Sequence, residues 1–331
     1  MDHQIDQPSR VLFVSGTGRS GTNITKKIFS SSPQVATLPF EYRFTIDPRG
    51  VVDFLNAYPQ GWSPFWPDQK INDFIGFLTS LGYQTEEKKA AVEHAVHIDP
   101  KGLEVSHPAY AGWELEQWIP GYLTFVAELR KELVSFEYEA VWPGTEGGQI
   151  NNKMLLGKHK SRLELLPILG RFLEKITRSI LSYTGKAVFL EDNTYNILFA
   201  KDLFDLYPNS QMLHVIRDPR DVLSSVMEQR WTPSSLDQMI VWYKEIMKRW
   251  DTQREQIEHN RYREVRFEDI VSNPEKKLQE IASFFRINLT DDMMQTDLSQ
   301  AHIGRYKETF SQPELKLIEK ELATYLNRYN Y

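Results

Sequence analysis

An α/β fold, a parallel sheet flanked by helices, is predicted for this chain by three observations. Short apolar or β-branched runs recur at residues 11–15, 35–38, 187–190, 212–216 and 263–267, each followed by helix-like sequence. The first run leads through a glycine-bearing turn, Ser15-Gly16-Thr17-Gly18-Arg19-Ser20-Gly21-Thr22-Asn23, into a helical segment from Ile24. Polar residues close the other runs: Glu41, Glu191-Asp192-Asn193, Arg217-Asp218 and Glu268-Asp269. Ligands of open α/β sheets bind outside the carboxyl ends of the strands, so these residues are expected to converge on one crevice.

The first strand and its turn read as an anion site. Glycine lets backbone approach a phosphate, and the free N–H groups of a first helical turn point at it. A nucleoside-triphosphate loop would carry Lys and then Ser or Thr after its second glycine, for the phosphates and Mg²⁺. Here Thr22 and Asn23 follow Gly21, and the cation sits earlier, at Arg19. The arrangement suits a phosphate held by backbone and hydroxyls, with one guanidinium left to meet a transferring group. A plain βα turn with a surface Arg is the competing reading.

The second strand precedes Pro39-Phe40-Glu41-Tyr42-Arg43. Residues 44–185 then interrupt the alternation with aromatics (Tyr58, Trp62, Phe65, Trp66, Trp113, Trp118, Tyr122 and Trp142) and with Pro59, Pro64, Pro67, Pro108 and Pro120. This stretch is expected to be a helical insertion over the sheet's carboxyl edge. Its aromatic faces either line an acceptor pocket or pack a lid onto the core. Helical periodicity is clearest at 123–139, 163–183, 236–258, 275–285 and 314–325. Within 236–258, Ile240, Tyr243, Met247 and Trp250 form a core stripe.

Residues 212–225 read as strand, tight turn and helix. Arg217 stands at the strand end, and Ser225, eight positions on, lies about two helical turns later and so returns toward the same side. Together they suit one phosphate, gripped by a forked guanidinium and a hydroxyl. Arg220 and Asp221 are expected to form a surface or capping pair, and His214 to be structural.

The 331 residues suffice for one large α/β domain with insertions or for two domains, and a net charge of −6 without a basic stripe argues against nucleic acid as the main partner. Cysteine is absent, which excludes disulfides and thiolate metal sites and fits a reducing compartment. No His-Glu-x-x-His motif occurs, and no metal is expected. The first residues carry no apolar leader and no run spans a membrane, so a cytoplasmic protein is expected.

With two anion sites at one sheet edge, the chain resembles sulfotransferases that use 3′-phosphoadenosine 5′-phosphosulfate (PAPS). Residues 15–23 are similar to that family's 5′-phosphosulfate loop, in the Arg-Ser-Gly-Thr form of tyrosylprotein and many bacterial members. Residues 215–225 are similar to its 3′-phosphate motif. Residues 262–274 resemble its "VxYEDLxxxP" segment, and Ile303-Gly304-Arg305-Tyr306-Lys307 its C-terminal cofactor-covering loop. The resemblance implies a P-loop-like fold in one domain, 1–331, with a nucleotide-binding core (1–43 and 186–331) and an acceptor-binding insertion (44–185).

It further implies that Arg19 neutralises the sulfuryl group, that Gly18, Ser20, Gly21, Thr22 and Asn23 hold the 5′-phosphate, and that Arg217, Ser225 and Arg305 hold the 3′-phosphate. PAP, 3′-phosphoadenosine 5′-phosphate, would be the product. Glu41 stands near the position of the general base in relatives with this loop; pairing with Arg43 is its other reading. Many relatives have Lys where Asp192 stands, so either Arg19 acts alone or Lys153 or Lys158 swings in. Asp192 and Arg43 are candidates for touching the acceptor, and Asp192 also for the base. Ile24 and Phe267 occupy positions where some relatives stack Trp and Tyr on adenine; Phe267 keeps the ring but lacks the hydroxyl. The expected acceptor is a hydroxyl, or less readily an amine, on a carbohydrate or small natural product, with a cationic acceptor left open by the acidic segments 137–139 and 191–192. The rivals are a P-loop kinase using ATP-Mg and a non-catalytic nucleotide-binding relative.

Overall fold

Five parallel strands form the central sheet: β1 (Arg10–Gly16), β2 (Val35–Ala36), β3 (Val188–Glu191), β4 (Ser210–Ile216) and β5 (Tyr262–Arg266), in the order β2-β3-β1-β4-β5. The computed structural model describes residues 7–82, 97–98, 104–105, 114–140, 153–229, 231–299 and 301–331. All five expected strands are present. They read as continuous apolar runs because both faces of the sheet are covered. Val11 and Phe13 of β1 pack with Ala36, Phe189 and Met212 on one face, while Leu12 and Val14 pack with Val35, Leu190, Leu213 and Val215 on the other.

Helices α1 (Thr22–Ser30) and α5 (Pro274–Phe284) cover the second face through Ile28, Phe29, Leu278 and Ile281. The first face carries α2 (Arg162–Thr184), α4 (Leu236–Arg254) and helices Trp66–Gly82 and Tyr122–Leu133. A capping box starts α2: Glu164 Oε2 accepts the Ser161 N–H at 2.8 Å while Ser161 Oγ accepts the Glu164 N–H. The stripe expected on α4 is core, with Ile240, Tyr243, Met247 and Trp250 buried.

Three local expectations are corrected. The helix expected over 123–139 stops at Leu133, because Val134 turns extended and Phe136–Glu139 pairs antiparallel with Lys153–Leu156. The alternating Phe-Glu-Tyr-Glu of that segment fits the pleat of a strand better than a helical stripe. The helix expected over 314–325 breaks at Leu322, between Gln312–Glu321 and Ala323–Arg328. Phe267 ends no strand but opens the short helix Phe267–Ser272.

Aromatics of residues 44–185 are largely structural. Tyr58 and Tyr122 are core, Trp66 donates its indole N–H to the Tyr58 carbonyl, Trp62 donates to that of Gly157, and Trp118 packs edge-on against Phe40. Pro108, Trp113 and Trp142 lie outside the described residues. No helix of the described residues is long and apolar enough to cross a membrane.

Candidate active site

Sheet order fixes where a ligand goes. From β1 the chain passes to β2 on one side and, after β3, crosses to β4 on the other, which leaves a crevice at the carboxyl end of β1. Pairing of Gly16 with Val215 sets the turn after β1 beside Arg217, and pairing of Ile216 with Arg266 brings Phe267 to the same edge. A cavity of about 970 Å³ occupies this edge.

Its floor is the 17–21 turn. Gly18, Arg19 and Gly21 all have left-handed backbone, with φ of 84°, 56° and 100°. Turns of this kind, ahead of the N-terminus of a helix such as α1, are a backbone setting in which N–H groups can gather round an anion. Gly21 is obligatory on a second ground: a Cβ there would drive into the ring of Phe267. Arg19 holds an uncommon conformation for a residue with a side chain, a strain that clusters at functional sites. Its Nε donates to Ser225 Oγ at 3.0 Å, and its carbonyl accepts from Arg217 Nη1 at 2.9 Å. The turn after β1 is thereby tied to the strand end before helix α3 (Pro219–Val226) and to the last turn of that helix.

Arg217 is buried, and its guanidinium lies 5.7 Å from the Phe267 ring centre. Its Nη2 donates to the His302 carbonyl. Burial lowers its affinity for its proton, while Asp221 and Glu268 oppose that effect. Arg217 Nε and Ser20 Oγ are buried without a partner among the described residues. Arg217 lines the cavity, and its unpartnered guanidinium nitrogen fits an anion there, whereas Ser20 Oγ packs against Gly16 and stands off the lining.

Asp221 corrects the reading of that segment, since it does not pair with Arg220. Arg220 engages Asp218, the N-cap of α3, and Glu319. Asp221 is fully buried and accepts the N–H groups of Gly304 at 2.7 Å and Tyr306 at 3.0 Å, which fastens the 303–307 loop over Arg217. Arg305 of that loop lines the cavity and pairs with Glu228. His214 lies buried in the sheet, 3.5 Å from Glu264.

Across the cavity stand Glu41 and Arg43. Arg43 Nη1 is 3.9 Å from Glu41, whereas its Nε is 3.2 Å from Asp47, so the guanidinium leans away from Glu41. Burial raises the Glu41 pKa, Asp192 adds to the rise, and Arg43 and Lys26 offset part of it. Asp192 stands off the cavity lining in a 2.9 Å pair with Lys26, and burial raises its pKa too. Lys153 and Lys158 are exposed and do not line the cavity; the cations that do, among the described residues, are Arg19, Arg43, Arg217 and Arg305.

Glu191, expected at this crevice, stands off the cavity lining but braces it, and several lining residues carry no sequence signal of that role. Glu191, at the end of β3, is buried and accepts the N–H groups of Tyr42 at 3.2 Å and Asn193 at 2.9 Å, together with the Asn196 amide. It fixes the backbone on which Glu41 sits. Tyr195, Leu198, Trp231, Trp242 and Ile246 form the remaining wall. No described residue of 44–185 lines the cavity, so its aromatic lining comes from later in the chain.

Sequence comparison agrees with this geometry. A sulfotransferase family model matches residues 12–291. The omega-hydroxy-beta-dihydromenaquinone-9 sulfotransferases of Mycobacterium tuberculosis and Mycobacterium bovis are 27% identical over 218 residues, covering 56% of this chain and 55% of theirs. The match thus spans about half the length of those curated relatives. Among solved structures, the sulfotransferase domain of the curacin biosynthetic pathway aligns with a TM-score of 0.45 at 11% identity, covering 96% of this chain and 98% of that one. A sulfotransferase of Mycobacterium tuberculosis H37Rv gives 0.44 at 12% identity, covering 96% and 77%. By the family match over most of its length, joined to the parallel sheet whose first βα turn opens on the cavity, the chain belongs to the sulfotransferase family.

Proposed function

We propose that this protein transfers a sulfuryl group from PAPS to a hydroxyl of a small organic acceptor. The observation that carries this reading is the meeting of Arg19, Arg217 and Ser225 in one cavity, beside the left-handed turn at Gly18, Arg19 and Gly21 and with Arg217 Nε buried and unpartnered among the described residues. Gly18, Ser20, Gly21, Thr22 and Asn23 suit the 5′-phosphate, while Arg217, Ser225 and Arg305 suit the 3′-phosphate. Ile24 offers the adenine an apolar edge, while the Phe267 ring, 1% exposed and packed against Gly21, borders the cavity without an open face for stacking. Bound there, PAPS supplies an activated sulfuryl group.

The chain's own residues then do three things. Glu41 takes the proton of the acceptor hydroxyl, in a setting whose burial raises its basicity. Arg19 meets the negative charge that grows as the bond to the donor breaks. Glu191 fixes the backbone beside Glu41 by accepting the Tyr42 N–H. The curated relatives are named for a hydroxylated acceptor, which supports oxygen over nitrogen as the site of transfer. Thr22 and Asn23 after Gly21 leave out the Lys and hydroxyl an ATP-Mg loop needs, and the reading includes no metal.

Calorimetry with PAP, followed by transfer assays with PAPS and an alcohol panel, tests the proposal. Saturable PAP uptake and sulfated product are expected; well-folded protein that takes up no PAP refutes it.

A further inference from the structure

We infer that the acceptor is an alcohol on an extended apolar body, which lies along the first half of α4 while its hydroxyl reaches the gap between Glu41 and Arg19. This deepens the sulfuryl-transfer reading and rests on it.

The two ends of the cavity differ in chemistry. One end holds the phosphate donors. The other is walled by Tyr195, Leu198, Trp231, Trp242 and Ile246, none of them charged. The aromatic wall begins at the anion turn itself: the Trp231 ring comes within 3.1 Å of where a Cβ on Gly18 would stand. From there it continues outward, with ring centres 6.4 Å apart between Tyr195 and Trp231 and 6.2 Å apart between Trp231 and Trp242.

Trp242 also borders a second hollow of about 330 Å³ on the outer surface, shared with Asp237, Gln238 and Val241. Ile246, Trp242 and Gln238 follow at four-residue steps and so mark one stripe of α4, about 12 Å long from end to end. At its mouth Trp231 and Val241 are 53% and 60% exposed. Apolar surface of this kind, continuous with a reaction site, gains free energy when a ligand's hydrocarbon covers it.

A sugar fits this wall poorly. Its ring would stack on an indole, but its several hydroxyls need amide or carboxylate partners once buried. Between Tyr195 and Ile246 the wall offers one phenol and two indole N–H groups, and the polar side chains Asp237 and Gln238 stand only at the outer rim. A cationic acceptor fits no better. Glu137 is paired with Arg130 and Asp192 with Lys26, while Glu191 is buried against its own N–H donors.

The test titrates PAP-saturated protein with straight-chain primary alcohols from butan-1-ol to decan-1-ol, and with methyl glucoside, by calorimetry; transfer rates from PAPS are read in parallel. Affinity and kcat/KM are expected to rise about two- to fourfold per added methylene, then level off as the chain passes Gln238. Trp242→Ala should flatten that slope. Val241→Lys, at an exposed position that leaves folding unaffected, should weaken only the longest alcohols. Equal binding of butan-1-ol and decan-1-ol, or tighter binding of methyl glucoside than of decan-1-ol, would overturn the inference while PAP uptake upholds the sulfuryl-transfer reading. Absence of PAP uptake removes that reading and this one with it.

Discussion

In the proposed reaction Glu41 and Arg19, which both line the cavity, have opposite requirements, one needing to lose a proton and the other to keep its charge. Burial raises the Glu41 pKa, so the base is fully ionised only above the ordinary carboxylate range. The rate of transfer is therefore expected to climb with pH along an acid limb whose midpoint exceeds that of free glutamate, about 4.3. Glu41→Gln should remove the limb and most of the turnover; a pH–rate profile of both proteins checks this. Arg19→Ala should lower kcat by ~10²–10³-fold, the scale of losing one transition-state donor, and rapid-quench assays at saturating PAPS would measure it. Of these residues, the 17–23 turn and Arg217 were legible because glycine at positive φ and charge at a strand end are local properties. Trp242 was not: between core neighbours Ile240 and Tyr243 it reads as a surface residue of α4, and only the docking of α4 beside the anion turn gives it a ligand to face.

Helices and loops at the sheet edge are held by a few buried carboxylates whose partners lie far along the chain. Asp221 joins α3 to the 303–307 loop through two N–H groups. Asp221→Asn keeps the shape but loses the charge, and should weaken PAP binding about tenfold by loosening that loop over Arg217. Calorimetry gives the number directly. The sequence assigned Asp221 to Arg220 because adjacency is visible in a string, whereas a partner at residues 304 and 306 is not.

Glu264 plays the same part for β5. Burial would raise its pKa, yet His214 at 3.5 Å and hydrogen bonds from Trp250 and Tyr329 hold the carboxyl down to about 2. A carboxyl depressed in the fold stabilises it above its unfolded value, near 4.5, and that share is lost as pH falls toward 2. The share is on the order of 3 kcal/mol. Glu264→Gln should thus flatten the decline of unfolding free energy between about pH 5 and pH 2, read from urea melts at each pH.

At the scale of the whole molecule, the cavity couples ligand to fold. If the proposed site takes up PAP, the nucleotide at a hundredfold above its Kd is expected to add about 2.7 kcal/mol of stability, enough to raise the melting temperature by several degrees. ATP with Mg²⁺ is expected to give no comparable shift, and EDTA to leave transfer from PAPS unchanged; thermal melts and the transfer assay decide both. The sheet was readable in advance because strands buried on both faces are apolar throughout. The stretch from 44 to 185 was not, since its aromatics serve packing and hydrogen bonds such as Trp66 to Tyr58, which composition alone does not separate from a binding wall.

The central place of β1 has a consequence for biosynthesis. It leaves the ribosome well before both its hydrogen-bonding neighbours, Val188–Glu191 and Ser210–Ile216, which lie far along the sequence from Arg10–Gly16. Until then a nascent strand of Val-Leu-Phe-Val must stay unzipped and shielded. Slow translation or scarce chaperones would expose it, so yield on expression, rather than finished stability, is where this topology exacts its toll.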